Sequence, residues 1–343
     1  GIPDAIRRVL GRRKVEFPVE RALFAMVANR ACAPCSKLYC SDQWLREDIR
    51  IEGTESLELH HLYRAMDVLE AHKERLEEAI YFRTAELLDL DVELVFYDTT
   101  SVHFEVDEED EGVGEGDAVR GSLAAGHKSY RAPRKRGKSK NGRDDAPQIV
   151  VGLAVTRDGF PVRHWIFPGN TVDVTTVEQV KRELTGWRLS RCVFVGDAGM
   201  VSRANLERLA RGGGRYIVCV PVHPGGEVAR EVLARPGRYH KVAHNLEVKE
   251  VVVGDGERRR RYAVCFNPEE AKRQRQHRTR VLEELAAELE SLRHHAGETH
   301  SKRVCELRAS GRYGRYLRLS KTGKPMIDQA KFEAVARLDG KFV

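Results

Sequence analysis

A change of hydrophobic period at Glu93 constrains this chain more than any other feature. Before it, apolar residues recur every three or four positions, the spacing that gives a helix one buried face. After it, they run in short blocks bounded by turn residues, as sheet strands do. Phe17-Pro18-Val19-Glu20 opens a helical pattern through Leu23, Met26 and Val27. A longer stretch, 56–88, carries Leu59, Leu62, Met66, Leu69, Leu76, Ile80 and Leu87 at the same spacing. The expectation is a helical N-terminal domain over 1–90, followed by an α/β region.

Within 91–220 the strand blocks are Glu93–Tyr97, Gln148–Thr156, Val162–Phe167, Cys192–Gly196 and Arg215–Val220. Arg157-Asp158-Gly159 joins the second and third as a hairpin. Asp173–Trp187 reads as a helix with Val174, Val177, Val180 and Leu184 inward. Ser202 is placed to cap a short helix, Ala204–Arg211, that stops at Gly212-Gly213-Gly214. The order β-β-β-α-β-α-β predicts a ribonuclease-H-like mixed sheet, hence an α/β fold class. Residues 221–337 read as a β/α insertion domain built around a long helix, Pro268–His294, with a stripe of Val281, Leu282, Leu285, Leu289 and Leu292. Residues 338–343 look like the start of a further core segment.

The bulk properties exclude some classes. No run approaches the roughly 18–20 apolar residues of a membrane span, so no membrane partner is expected. Seven cysteines spread over 343 residues argue for a reducing, cytoplasmic setting rather than a disulfide framework. Cys32-x-x-Cys35 lacks a second ligand pair at zinc-site spacing and reads as buried structural thiols. A net charge of +7 is compatible with a polyanionic partner.

Two aspartates follow apolar blocks: Asp98 in Tyr97-Asp98-Thr99-Thr100-Ser101 and Asp197 in Val195-Gly196-Asp197-Ala198-Gly199-Met200. In the expected topology both sit at C-terminal strand ends, the edge where open α/β sheets place ligand chemistry. Hard oxygen ligands converging there suit Mg²⁺ or Mn²⁺ and phosphoryl transfer. Thr99 and Thr100 either orient Asp98 or are simply β-branched strand residues. Asn170 and Asp173 lie at the start of the following helix, where Asp173 is expected to act as N-cap. A charged insertion separates the first two strands, acidic over 105–117 and basic over 128–143. Its basic side chains, Lys128, Arg131, Arg134, Lys135, Arg136, Lys138, Lys140 and Arg143, are candidates for DNA-phosphate contacts or for a solvated loop that balances its acidic neighbour. Lys272, Arg273, Arg275, Arg278 and Arg280 make the first half of the long helix a second candidate DNA surface or, as such runs more often are, an exposed solvated face.

With Pro147-Gln148-Ile149-Val150-Val151-Gly152-Leu153 and Pro168-Gly169-Asn170-Thr171-x-Asp173, the two aspartate segments make the chain resemble the DDE transposases of bacterial insertion sequences. The nearest group by these motifs is the insertion-sequence-four superfamily with its Tyr-Arg-Glu-Lys signature. The resemblance runs from about residue 17 to the C-terminus. It implies a DNA-transposition enzyme that cleaves and joins DNA at transposon ends. By it, Asp98 and Asp197 are the first two metal-binding catalytic acids, Mg²⁺ or Mn²⁺ is the cofactor, and transposon ends and target DNA are the partners. It also implies a possible homodimer on paired ends. The family's third acid lies in Tyr-x-x-Arg-x-x-x-Glu-x-x-x-x-x-x-Lys, and no tyrosine here opens that pattern; Glu306 and Glu333 are carboxylates without it. The expectation is therefore either a fragment truncated before the catalytic glutamate or a decayed reading frame. Two alternatives stay open, a non-catalytic DNA-binding remnant or inhibitor and a ribonuclease-H-like nuclease.

Overall fold

A computed structural model describes residues 1–11, 15–90, 93–110, 133–187, 189, 191–256, 259–294 and 297–343. Contacts divide the chain into two compact units, Gly1–Ile217 and Val218–Val343. The fold class is mixed α/β.

The first unit begins with helices α1 (Ile2–Leu10), α2 (Val19–Cys32), α3 (Lys37–Tyr39), α4 (Leu59–Ala71) and α5 (Lys73–Leu87). Continuous helical turns over Cys40–Asp48 extend α3. Ile6, Phe17, Val19, Ala22, Met26, Trp44, Leu57, Leu62 and Leu76 form their shared core. The apolar period over 56–88 belongs to two helices, because His72 leaves helical geometry at φ −122°, ψ 14°. Only part of the expected stripe is interior: Leu62 and Leu76 are buried, whereas Val27, Met66, Leu69 and Leu87 face solvent. Cys40 is buried, but Cys32 is exposed and Cys35 half-buried, which corrects the expectation of interior thiols for that pair. The reason is local: α2 ends at Cys32, so the CxxC lies in the turn beyond it.

The sheet of this unit comprises β1 (Leu94–His103), β2 (Gln148–Thr156), β3 (Pro161–Pro168), β4 (Val193–Gly196) and β5 (Arg215–Val218), in the order β3-β2-β1-β4-β5. β1 is antiparallel to β2 and β2 to β3, whereas β1 is parallel to β4. Parallel neighbours need a crossover, and α6 (Asp173–Gly186) lies between β3 and β4 in the chain. Val177, Val180 and Leu184 bury its inner face. After β4, α7 (Arg203–Ala210) starts at Ser202, whose hydroxyl accepts the Asn205 N–H at 3.1 Å. Helix α5 is tied to β3 by polar contacts: Lys73 Nζ donates to the His164 carbonyl at 2.7 Å, and Glu77 pairs with His164. Arg163 on β3 is buried against Trp165 and Trp187 and holds Glu183 at 2.6 Å.

The second unit contains a four-stranded sheet and a helical cluster. Strands β6 (His240–Ala243), β7 (Leu246–Val253) and β8 (Arg260–Phe266) are followed by α8 (Pro268–Ser291), α9 (Gly297–Ala309), β9 (Leu317–Leu319), β10 (Pro325–Ile327), α10 (Gln329–Ala336) and β11 (Lys341–Phe342). β11 pairs antiparallel with β8. Val281, Leu285 and Leu292 of the predicted stripe are buried with Leu307, Tyr316 and Leu317. Arg278 corrects the expectation of a wholly exposed basic face on this helix: it is buried and forms a two-pronged ion pair with Asp339, while Lys272, Arg273, Arg275 and Arg280 remain exposed.

Candidate functional site

Strand β1 is longer than its apolar block suggests. The antiparallel ladder to β2 continues from Val95↔Thr156 to His103↔Gln148, so Asp98 lies inside the strand rather than at its end. On the other side the parallel ladder to β4 runs only from Leu94↔Val193 to Phe96↔Val195. Carried two residues further, the same offset sets Asp98 level with Asp197. At that level β4 stops while β1 goes on, and the sheet opens between them. Asp197 turns the chain there, its Oδ1 accepting the Gly199 N–H at 3.1 Å.

Alternation along β1 buries Val95, Tyr97, Thr99 and Ser101 and exposes Phe96, Asp98, Thr100 and Val102. The Asp98 side chain is 75% exposed, and its Oδ1 accepts the Thr99 N–H at 2.7 Å. Thr99 therefore steadies Asp98 through its backbone; its hydroxyl donates to Asp173 Oδ1 at 2.6 Å instead.

Asp173 differs from the sequence expectation. It is the first residue of α6, Val172 holds the N-cap position, and neither makes a side-chain cap bond. The carboxylate turns into the site because Thr99 Oγ1 and Lys140 Nζ hold it, the latter at 3.1 Å from Oδ2. It is only 20% exposed. Gly199 faces the gap between the two other carboxylates: a side-chain carbon there would lie 3.3 Å from Asp197 Oδ1 and 3.4 Å from Asp173 Oδ2. Asp173 and Asp197 thus flank Gly199, and Asp173 is joined to Asp98 through Lys140. A hydroxyl-bearing strand residue one after Asp98, read together with Asp173, was the only sequence signal for this.

Lys140 Nζ donates to the Thr99 carbonyl at 2.7 Å and to Thr99 Oγ1 at 2.6 Å, and lies 3.7 Å from Asp98 Oδ1. Its segment is clamped to the sheet. Lys135 and Gln148 exchange backbone hydrogen bonds at 3.0 Å each way, and the Gly169 N–H donates to Pro133. A Cβ on Gly169 would run into the carbonyl oxygens of Gln148 and Lys135, and one on Gly137 into that of Gly169, so this approach requires glycine. Asn141 Nδ2 adds a bond to the Ser101 carbonyl at 3.1 Å.

Four of the other basic candidates meet acids. Arg134 Nε donates to Asp110 at 2.6 Å, Lys135 and Arg136 lie by Glu109, and Arg143 pairs with Glu105 at 2.9 Å and Asp145 at 3.0 Å. Hydrogen bonds from these cations hold the Asp110, Glu105 and Asp145 carboxyls below the usual range. Lys138 is exposed on the same segment. Lys128 and Arg131 lie outside the described residues. Glu306 pairs with Arg303, and Glu333 accepts from Gln329.

The donor set around Asp98, Asp173 and Asp197 is hard oxygen, the chemistry that Mg²⁺ and Mn²⁺ prefer. Among the described residues no three His, Cys, Asp or Glu side chains stand close enough to enclose a metal ion as they are. No described helix is long and apolar enough to cross a membrane.

No protein-family model matches this sequence, and no curated protein matches it. Among solved structures, similarity is found to the piggyBac transposase synaptic complex with hairpin DNA, at 11% identity and a TM-score of 0.34, covering 72% of this chain and 53% of that one. The Mos1 transposase paired-end complex with the left transposon end matches at 11% identity and 0.23, covering 60% of each chain. The Mos1 mariner paired end complex with Mn matches at 11% and 0.22, covering 62% of this chain and 61% of that chain. The chain thus spans about half to three fifths of the length of these structures. Likeness of this degree assigns neither residue roles nor activity.

Proposed function

We propose that this chain is a transposase of the DDE type, with a ribonuclease-H-like core acting on DNA at transposon ends. The observation that supports it most is the β1–β4 pairing, which sets Asp98 level with Asp197 where the sheet opens. Asp98 and Asp197 are the residues that would hold Mg²⁺ or Mn²⁺. Such an ion, held by Asp98 and Asp197, would supply activation of an attacking hydroxyl and charge stabilisation at the leaving oxygen. The protein's part is to keep carboxylates on rigid elements, orient them through Thr99 and the Gly199 N–H, and leave the exposed face of β1 open to a phosphodiester. Lys138 and the exposed pairs of Arg136 and Arg143 are the cations that meet DNA phosphate, since a surface ion pair contributes only about 0–1 kcal/mol and exchanges easily.

A second reading, a DNA-binding protein without cleavage activity, draws on the lack of a closed three-ligand set among the described residues. Incubating supercoiled plasmid with the protein and Mg²⁺ or Mn²⁺, beside Asp98→Ala and Asp197→Ala, separates the two. The transposase reading expects metal-dependent nicking that both substitutions abolish. Salt-sensitive binding without nicking would favour the second reading, and neither binding nor nicking would sink both.

A further inference from the structure

We propose that Asp173 is the third carboxylate of the cation site, and that the Lys140 ammonium fills this site until a divalent ion displaces it. The inference rests on the metal-dependent reading above and deepens it.

Every described neighbour that fixes the Lys140 ammonium is an oxygen: Thr99 O at 2.7 Å, Thr99 Oγ1 at 2.6 Å, Asp173 Oδ2 at 3.1 Å and Asp98 Oδ1 at 3.7 Å. Carbonyl, hydroxyl and carboxylate oxygens are also what a hard divalent cation selects. One positive charge therefore already sits in an oxygen cage that carries two negative ones. Asp173 gives the cage its anchor. It is the least exposed of its charged members, it makes no side-chain bond to the helix start, and it flanks Gly199 opposite Asp197. Neutralising a carboxylate pair explains why a lysine from a distant segment is brought here through two glycine contacts. A lysine suits exchange: its ammonium is a compact charge on a flexible stem and can withdraw toward solvent, where 38% of the side chain already lies. Withdrawal would let Asp98 and Asp173 close on one ion with Asp197 beside them.

Mn²⁺ titration of the full chain without DNA, read by electron paramagnetic resonance of free Mn²⁺, tests this directly. Lys140→Met is expected to bind Mn²⁺ about tenfold or more tightly than the unsubstituted protein, because a competing charge 3–4 Å from the carboxylates is removed. Lys140→Arg, which keeps the charge, and Lys138→Met, which removes an exposed charge from the same segment, are expected to stay within about twofold. Asp173→Asn is expected to weaken binding about tenfold or more. Thermal unfolding of each variant without metal checks that it folds. Equal affinity for Lys140→Met and Lys138→Met, or unchanged affinity for Asp173→Asn, would overturn the inference. If Asp98→Asn and Asp197→Asn abolish binding in that case, the metal reading survives alone. No saturable Mn²⁺ binding to any variant would overturn both.

Discussion

Tyr97 shows how closely the site is tied to the core. Burial pushes its phenol up to about 12; the Thr176 contact works the other way, and the Asp173 and Asp98 charges add to the rise. Its hydroxyl donates to Thr176 Oγ1 at 2.9 Å, and Thr176 in turn donates to the Asp173 carbonyl at 2.8 Å. The folded state favours the neutral phenol. Its contribution is therefore intact below pH 10 and is lost as pH rises from 10 toward about 12, by up to ~1.4 kcal/mol per unit. Tyr81, also pushed to about 12 by burial, acts in the same sense. Urea unfolding from pH 8 upward is expected to show a steep alkaline loss, and Tyr97→Phe is expected to remove about half of it. In the second unit, Asp339→Asn leaves the Arg278 guanidinium buried with a neutral partner and is expected to cost about 3 kcal/mol in the same assay. An exposed arginine, the reading its neighbours suggest, would make that change nearly silent.

At the scale of elements, the junction of β2, β3 and the 133–141 segment positions Lys140. Gly169→Ala would press a Cβ against two backbone carbonyls that cannot turn aside without breaking the Lys135–Gln148 bridge. It is expected to cost about 1–3 kcal/mol. Faster hydrogen exchange at the Lys135 and Gln148 amides should accompany it, and protection unchanged at both would count against the clamp. Most elements of the first sheet were legible from period and turn residues. The hairpin at Arg157-Asp158-Gly159, the Ser202 cap and the crossover helix are encoded within a few residues of where they form. The length of β1 was not. Thr99, Thr100 and Ser101 extend the strand because β2 supplies ladder partners, and a partner 50 residues away in the chain leaves no local trace.

For the whole molecule, each unit has an apolar core of its own. Leu285→Ala empties a fully buried position in the second unit and is expected to cost about 2–5 kcal/mol there. Trp44, Trp165 and Trp187 all lie in the first unit, so fluorescence follows that unit and far-ultraviolet circular dichroism follows both. Leu285→Ala is expected to shift the dichroism midpoint well below the fluorescence midpoint; two equal shifts would mean a single cooperative transition. Local sequence by itself determined the helical start, the succession of strands and helices through β5, and Asp98 and Asp197 as the acids to examine; that their strands lie side by side is a tertiary fact. Those properties follow from periodicity, caps and turns, which act between near neighbours. Tertiary structure alone decided that the Asp173 carboxylate is held by Thr99 and Lys140, that most described basic side chains of the insertion meet acids, and that Arg278 points inward. A charged side chain is drawn to whichever opposite charge folding brings near, and that distance is set by the packing of elements far apart in the chain.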